Sequence, residues 1–232
     1  MSLHHRFLTT RWSILKKAVA ESQPESAQAL AEFCINYRGP LLAYASAFYP
    51  QDAEDLVQGF FERLIEKGFL ASADPAKGKL RTFLLTCLKR HIANQLRHNS
   101  AGKRGGDAEH MSIDDAGHLG DPTAGPEALY HRRWAQEVLE RAITRLRDDW
   151  TRDGKAAQFE ELHPFLGYSR NEDEERAAIA GRLGLSTGAL KTAIYRIRRE
   201  YRDVLLQEIA DTLEVKTQDE VLAEMKDLMA WV

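Results

Sequence analysis

Cysteine is scarce in this chain of 232 residues: Cys34 and Cys87 are the only two. They lie far apart and form no CxxC, which excludes a disulfide framework and a thiolate zinc site. They read as small buried hydrophobes in a reducing compartment. Long apolar runs are missing as well. "PLLAYASAFYP" (Pro40–Pro50) and "FLLTCL" (Phe83–Leu88) fall far short of the roughly 18 residues that span a bilayer. The first residues, "MSLHHRFLTTRWS", lack the apolar centre of a signal peptide. The expectation is a soluble, cytoplasmic protein with no membrane partner. Sustained apolar–polar alternation is absent, so a sheet is not expected. The signatures of catalysis are absent too. None of the eight histidines sits in HExxH, and there is no GxSxG. "SAGKRGG" (Ser100–Gly106) fails as a phosphate loop because Arg97 stands where its first glycine belongs and Arg104 follows Lys103. Asp114 and Asp115 fall in a Gly/Asp/Pro-rich stretch and read as solvated charge. No catalytic residue, metal or cofactor is expected.

Charge is present but segregated. The formal net charge is −3, yet Pro75 to Gly106 contains no Asp or Glu while carrying Lys77, Lys79, Arg81, Lys89, Arg90, Arg97, Lys103 and Arg104. Just upstream, Phe48 to Glu66 holds Asp52, Glu54, Asp55, Glu62 and Glu66 against the single Arg63. A basic block beside an acidic one points to two different partners on neighbouring surfaces; solvated helix faces of opposite sign are the plainer alternative.

Apolar residues recur at helical spacing almost throughout, so the fold class is all-α: two helical domains joined by a flexible linker. Ala27, Leu30, Phe33, Cys34 and Tyr37 form one stripe, and Leu41, Tyr44, Ala45 and Phe48 a second. Leu56, Phe60 and Leu64 lie on a helix opened by Asp52 as N-cap. Another helix spans about Leu80 to Arg97. Residues 101–126 are rich in Gly, Asp and Pro and read as the linker. Beyond it, Leu129, Trp134, Val138, Ile143 and Leu146 share helical spacing. A short helix is expected around Phe159, a break from Pro164 to Asn171, and a last helix from about Asp219 to Trp231.

The stretch "AIAGRLGLSTGALKTAIYRIRREYR" (Ala178–Arg202) carries the most specific local signal. Asn171 and Glu174 fit a capping box for a helix that ends at Gly184, the residue best suited to a left-handed terminus. Leu185 plugs the corner and Ser186 caps the next helix. Leu190, Ile194, Ile197, Tyr201 and Val204 then face inward. Lys191, Thr192, Tyr195, Arg196, Arg198, Arg199 and Arg202 face outward. Helix, short glycine turn and helix make a helix-turn-helix, whose second helix enters the DNA major groove. Early arginines there reach guanine acceptors, and later ones meet phosphates. An amphipathic helix with a solvated basic face is the alternative.

"DAEDLVQGFFERLIEKG" (Asp52–Gly68) and "GKLRTFLLTCLKRHIANQLRH" (Gly78–His98) resemble the extracytoplasmic-function sigma factors of bacterial RNA polymerase. "LGLSTGALKTAIYRIRREYR" (Leu183–Arg202) resembles the family's second, promoter-reading domain. "TTRWSILKKA" near the start and the C-terminal helix are similar to a subgroup with extensions at both ends. The resemblance covers about Pro24 to Gln207. It implies an N-terminal extension (1–23), a domain binding core polymerase and the −10 element (24–100), a linker (101–126), a −35-binding domain (127–210) and a C-terminal extension (211–232). By motif position it implies that Asp52, Glu54, Asp55, Gln58, Phe61 and Leu64 meet the clamp helices of the largest catalytic polymerase subunit. The −10 surface would be the Asp74–Lys79 loop, including Lys77 and Lys79, with Arg81, Arg90, Asn94 and Arg97. The −35 surface would be Thr187, Gly188, Lys191, Thr192, Tyr195, Arg196, Arg198 and Arg199. Phe61 is assigned outward because adjacent phenylalanines on a helix cannot share a face; core packing is its alternative. Only Phe83 is aromatic between Ala71 and Met111, so little base stacking is expected, and with it weak melting that depends on a good −35 contact.

Asp148 to Glu175 is longer than the family's compact connection and leaves two options, an added helix that regulates access to DNA or a decoration. Masking of the DNA surfaces likewise has two candidates: an anti-sigma protein, or the C-terminal helix through Leu222, Met225, Leu228 and Met229. A stand-alone helix-turn-helix regulator is the competing function, distinguished by having no need of the acidic "DAEDLVQGFFERL" helix. A helical adaptor for an acidic protein is a third.

Overall fold

A computed structural model of the protein describes residues 24–66, 79–102, 125–167, 173–213 and 217–232. Among them are eight α-helices and one short 3-10 helix, and no strand. No helix of the described residues is long and apolar enough to cross a membrane. The chain divides into two compact units, residues 1–137 with 210–232, and residues 138–209. The first boundary falls inside one helix, α4 (Pro126–Arg152). Residues 126–137 thus group with the upstream unit, within the stretch that the sequence reading assigns to the downstream domain.

The first unit holds α1 (Pro24–Phe48), α2 (Ala53–Glu66), α3 (Leu80–Gly102), the start of α4, and α8 (Gln218–Met229). The two stripes read as separate in the sequence lie on one helix, α1, which runs through Pro40 although proline forfeits one backbone bond there. Phe33, Tyr37, Leu41, Tyr44 and Ala45 line its buried side. Buried residues on α2 are Ala53, Val57, Phe60, Phe61 and Leu64. The two adjacent phenylalanines do point different ways, but both ways are covered. Phe61 meets Phe33 of α1 edge-on at 6.4 Å, and Phe60 faces His91 of α3 at 6.1 Å. A helix wedged between two others buries opposite sides, so neighbouring aromatics each contribute roughly 1.5–3 kcal/mol of burial.

The second unit holds the rest of α4, α5 (Ala156–Leu162), the 3-10 turn His163–Leu166, α6 (Asp173–Arg182) and α7 (Thr187–Ala210). Its core gathers Leu146, Trp150, Phe159, Leu162, Phe165, Ile179, Leu190 and Ile197. In its described residues the long connection is part of this core. It ends α4 at Gly154 (φ +74), where Lys155 N–H bonds the Trp150 carbonyl at 2.8 Å, and it supplies three fully covered side chains to the core, Phe159, Leu162 and Phe165. Trp150 is tied across to α7 by its indole N–H, which donates to Glu200 at 2.7 Å.

The corner between α6 and α7 has the backbone that the sequence requires. Gly184 sits at φ +64. Leu185 N–H reaches the Ala180 carbonyl at 2.8 Å and Gly184 N–H the Gly181 carbonyl at 3.1 Å, the two bonds of a Schellman terminus. The Ser186 hydroxyl then accepts from Ala189 N–H at 3.2 Å. Asn171, half of the expected capping box, lies outside the described residues. A Cβ at Gly184 would touch nothing within 4 Å, so backbone strain alone opposes substitution. Gly184→Val is expected to cost about 1–3 kcal/mol in thermal unfolding of the full chain; an unchanged melting temperature would show that the corner does not depend on the left-handed residue.

Candidate nucleic-acid interface

Helix α7 presents a continuous polar stripe. Thr187, Gly188, Lys191, Thr192, Tyr195, Arg196, Arg198 and Arg199 are all exposed, and Tyr195 is 68% exposed although large and aromatic. On the opposite side Leu190 and Ile197 are buried, with Ile194, Tyr201 and Val204 packed against the same core. One face is thus held while the other is left to solvent. Arg198 differs from its neighbours, because its Nε donates to the Phe165 carbonyl at 2.8 Å and ties α7 to the 3-10 turn. A cleft of about 530 Å³ opens beside the first turns of α7, floored by Phe165, Leu190 and Ile194 and rimmed by Lys191 and Arg198. Gly188 adds bare backbone at the N-terminal turn, and a Cβ there would meet only Ser186 Oγ at 4.0 Å. Helix N-termini with open N–H groups attract phosphate.

The basic residues of the first unit are less uniform. Arg90, Asn94 and Arg97 are exposed at successive turns of α3. Lys77 lies outside the described residues, as does most of the Asp74–Lys79 loop. Lys79 and Arg81 are engaged within the protein. Arg81 is only 7% exposed. Its guanidinium lies over Trp134 at 4.6 Å and its Nη1 stands 2.5 Å from Glu224 Oε1. Its carbonyl accepts from the buried Tyr130 hydroxyl at 2.8 Å. Lys79 pairs with Glu224 at 2.5 Å and donates to Asp227 at 2.6 Å, which holds the Asp227 carboxyl below the usual carboxylate range. Nearby His131 stacks on Trp231 at 5.0 Å. Burial, followed by the Arg81 charge, lowers its pKa to about 4, so it is neutral at physiological pH and adds nothing to the positive field.

Sequence reasoning missed Tyr130, Glu224 and Asp227 as organisers of this surface. It assigned Leu129 inward, but Leu129 is 42% exposed and Tyr130 is buried. Of the stripe it offered on the last helix, Leu222, Met225, Leu228 and Met229, only Leu228 is buried. Val221, Glu224 and Leu228 are the buried residues of α8, whereas Met229 is exposed and Leu222 and Met225 are half-buried. The missed signal was an acid spaced i+3 from one apolar residue and i−4 from another. Apolar periodicity discards such a residue, although a basic partner elsewhere favours its burial.

Helix α2 offers carboxylates on its outer side. Asp52, Glu54, Asp55 and Glu62 are exposed, with Gln58 among them; Gln58 donates to Glu62 at 3.0 Å and Glu54 pairs with Arg38. Phe61 and Leu64 belong to the core beneath, where they fix the helix that carries the acids. Among the described residues no cluster of His, Cys, Asp and Glu is arranged to hold a metal ion.

Residues 36–102 match the family model of sigma-70 region 2, a sigma-factor region that binds core RNA polymerase and melts promoters. The matched segment spans the C-terminal part of α1, all of α2 and all of α3. No curated protein and no solved structure matches the chain.

Proposed function

We propose that the chain is a transcription initiation factor of the extracytoplasmic-function sigma type, with extensions at both ends. It catalyses nothing itself. It docks on core polymerase through the acidic side of α2, meets the −10 element with α3 and the segment before it, and reads the −35 element as duplex through α7. An acidic docking face steers encounter and fixes register with a basic partner surface. The polymerase-facing contacts are Asp52, Glu54, Asp55 and Gln58, with Phe61 and Leu64 supporting them from below. Arg90, Asn94 and Arg97 form the accessible −10 stripe.

The observation that carries the −35 assignment is the corner of the second unit. A Schellman-terminated helix and a serine-capped helix leave Lys191, Thr192, Tyr195 and Arg196 exposed in the first turns, where a groove-entering helix meets base edges. In this reading Arg196→Ala costs about 1–3 kcal/mol of −35 binding and relaxes specificity at one base pair. Arg199→Ala weakens binding to every duplex and lowers the salt slope by about 0.9, the share of one lost phosphate contact. Footprinting and salt-dependent anisotropy on duplexes check both. A sequence-selective loss for Arg199→Ala, or an unchanged footprint for Arg196→Ala, would contradict these roles. Retention of the chain on immobilised core polymerase separates this function from that of a regulator acting without polymerase, which would not be retained.

A further inference from the structure

Helix α8 carries an acid where its packing calls for an apolar side chain. Its buried positions are Val221, Glu224 and Leu228, spaced i, i+3 and i+7. Glu224 is 3% exposed, and each of its oxygens faces a different cation, Oε1 with Arg81 Nη1 and Oε2 with Lys79 Nζ, both at 2.5 Å. Three residues after Glu224, Asp227 takes a second bond from Lys79 at 2.6 Å. Desolvating a carboxylate is costly, and a buried ion pair adds little net stability over an apolar pair of the same size. The geometry matches the Glu224 carboxylate to these two cations.

Lys79 immediately precedes α3, in helical phase with the exposed Arg90 and Arg97, whereas Arg81 belongs to the buried stripe of that helix with Leu84, Leu85 and Leu88. The two carboxylates of α8 present to Lys79 the oxygens that a nucleic-acid backbone would present. Val221 and Leu228 are buried, and Trp231 stacks on His131. Arg81 Nε finds no hydrogen-bond partner among the described residues, so α8 leaves this guanidinium incompletely satisfied. The helix also brings its own N-terminal support, a reciprocal capping box between Thr217 and Glu220, which needs nothing from the surface beneath.

We infer that α8 is a built-in competitor for the nucleic-acid surface of the first unit: Glu224 and Asp227 occupy Lys79, and a DNA backbone and α8 exclude one another there. This rests on reading Lys79 and the exposed side of α3 as a DNA-binding face. Anisotropy of a labelled single-stranded oligonucleotide, titrated with the full-length chain at several salt concentrations, tests it. Glu224→Gln/Asp227→Asn removes the competing charge. Leu228→Ser loosens the docking without changing net charge. Asp219→Asn, an exposed acid on the same helix, controls for net charge alone.

Freeing Lys79 is expected to raise affinity roughly fivefold at about 0.1 M salt and to steepen the salt slope by about 0.7 in the double variant. Leu228→Ser gains in the same direction, and Asp219→Asn changes affinity less than about twofold, as expected for one exposed charge. Lys79→Ala weakens binding about fivefold in the double variant. Affinities of the folded double variant and of Leu228→Ser no higher than that of the Asp219→Asn control would overturn the competition while leaving the DNA face intact. Absence of binding by every protein at low salt would overturn the DNA face and the competition together. Should the double variant fail to fold, Leu228→Ser carries the comparison.

Discussion

Phe159→Ala is expected to destabilise the second unit by about 3–5 kcal/mol, the range for emptying a buried aromatic site. Phe159 is fully covered. It meets Trp150 edge-on at 6.0 Å and His163 face-on at 5.6 Å, and the Arg147 guanidinium lies over its ring at 5.4 Å. These contacts join α4, α5 and the 3-10 turn, and the 3-10 turn in turn holds α7 through Arg198. Duplex binding should therefore fall together with stability, although Phe159 is not among the exposed residues of α7. The check is denaturant unfolding of the full chain beside duplex anisotropy, with the exposed Leu129→Ala as a reference expected to stay within about 0.5 kcal/mol. Unfolding of Phe159→Ala that matches wild type would return the 148–175 segment to the status of decoration.

Asp55→Lys is expected to reduce retention on core polymerase more than about 100-fold, because like charges brought together at an interface cost several kcal/mol. Asp55 is exposed on the first turn of α2, so its reversal leaves the core of Phe60, Phe61 and Leu64 in place. Glu54 is the less clean choice, since its partner Arg38 belongs to the unit's own structure. Circular dichroism confirms the fold, and a binding assay on immobilised core enzyme reads the effect. Undiminished retention would move the docking contact away from α2.

The sequence carried the helical periodicity, the glycine corner and the serine cap plainly, because each depends on a few neighbouring residues. Gly184 and Ser186 do locally what their chemistry dictates. It carried less of what depends on a third element. Phe61 reads as outward when α2 is imagined with one buried side, and it is covered because α1 and α3 flank that helix on two. Arg81 reads as a free cation until Trp134 and Glu224, 53 and 143 positions further along the sequence, are seen to enclose it. Glu224 of α8 was missed for the same reason: periodicity ranks Met229 above Glu224, and only the cations beneath reverse that order. The three residues Phe159, Leu162 and Phe165 illustrate the opposite case, where the segment's apolar content was legible and its destination was not.

The most direct measurement of the central claim is transcription in vitro from a pool of random upstream sequences by core polymerase, with and without the purified chain. The account predicts transcripts that depend on the chain and share two short elements at a fixed separation. Identical transcript pools with and without the chain would contradict it.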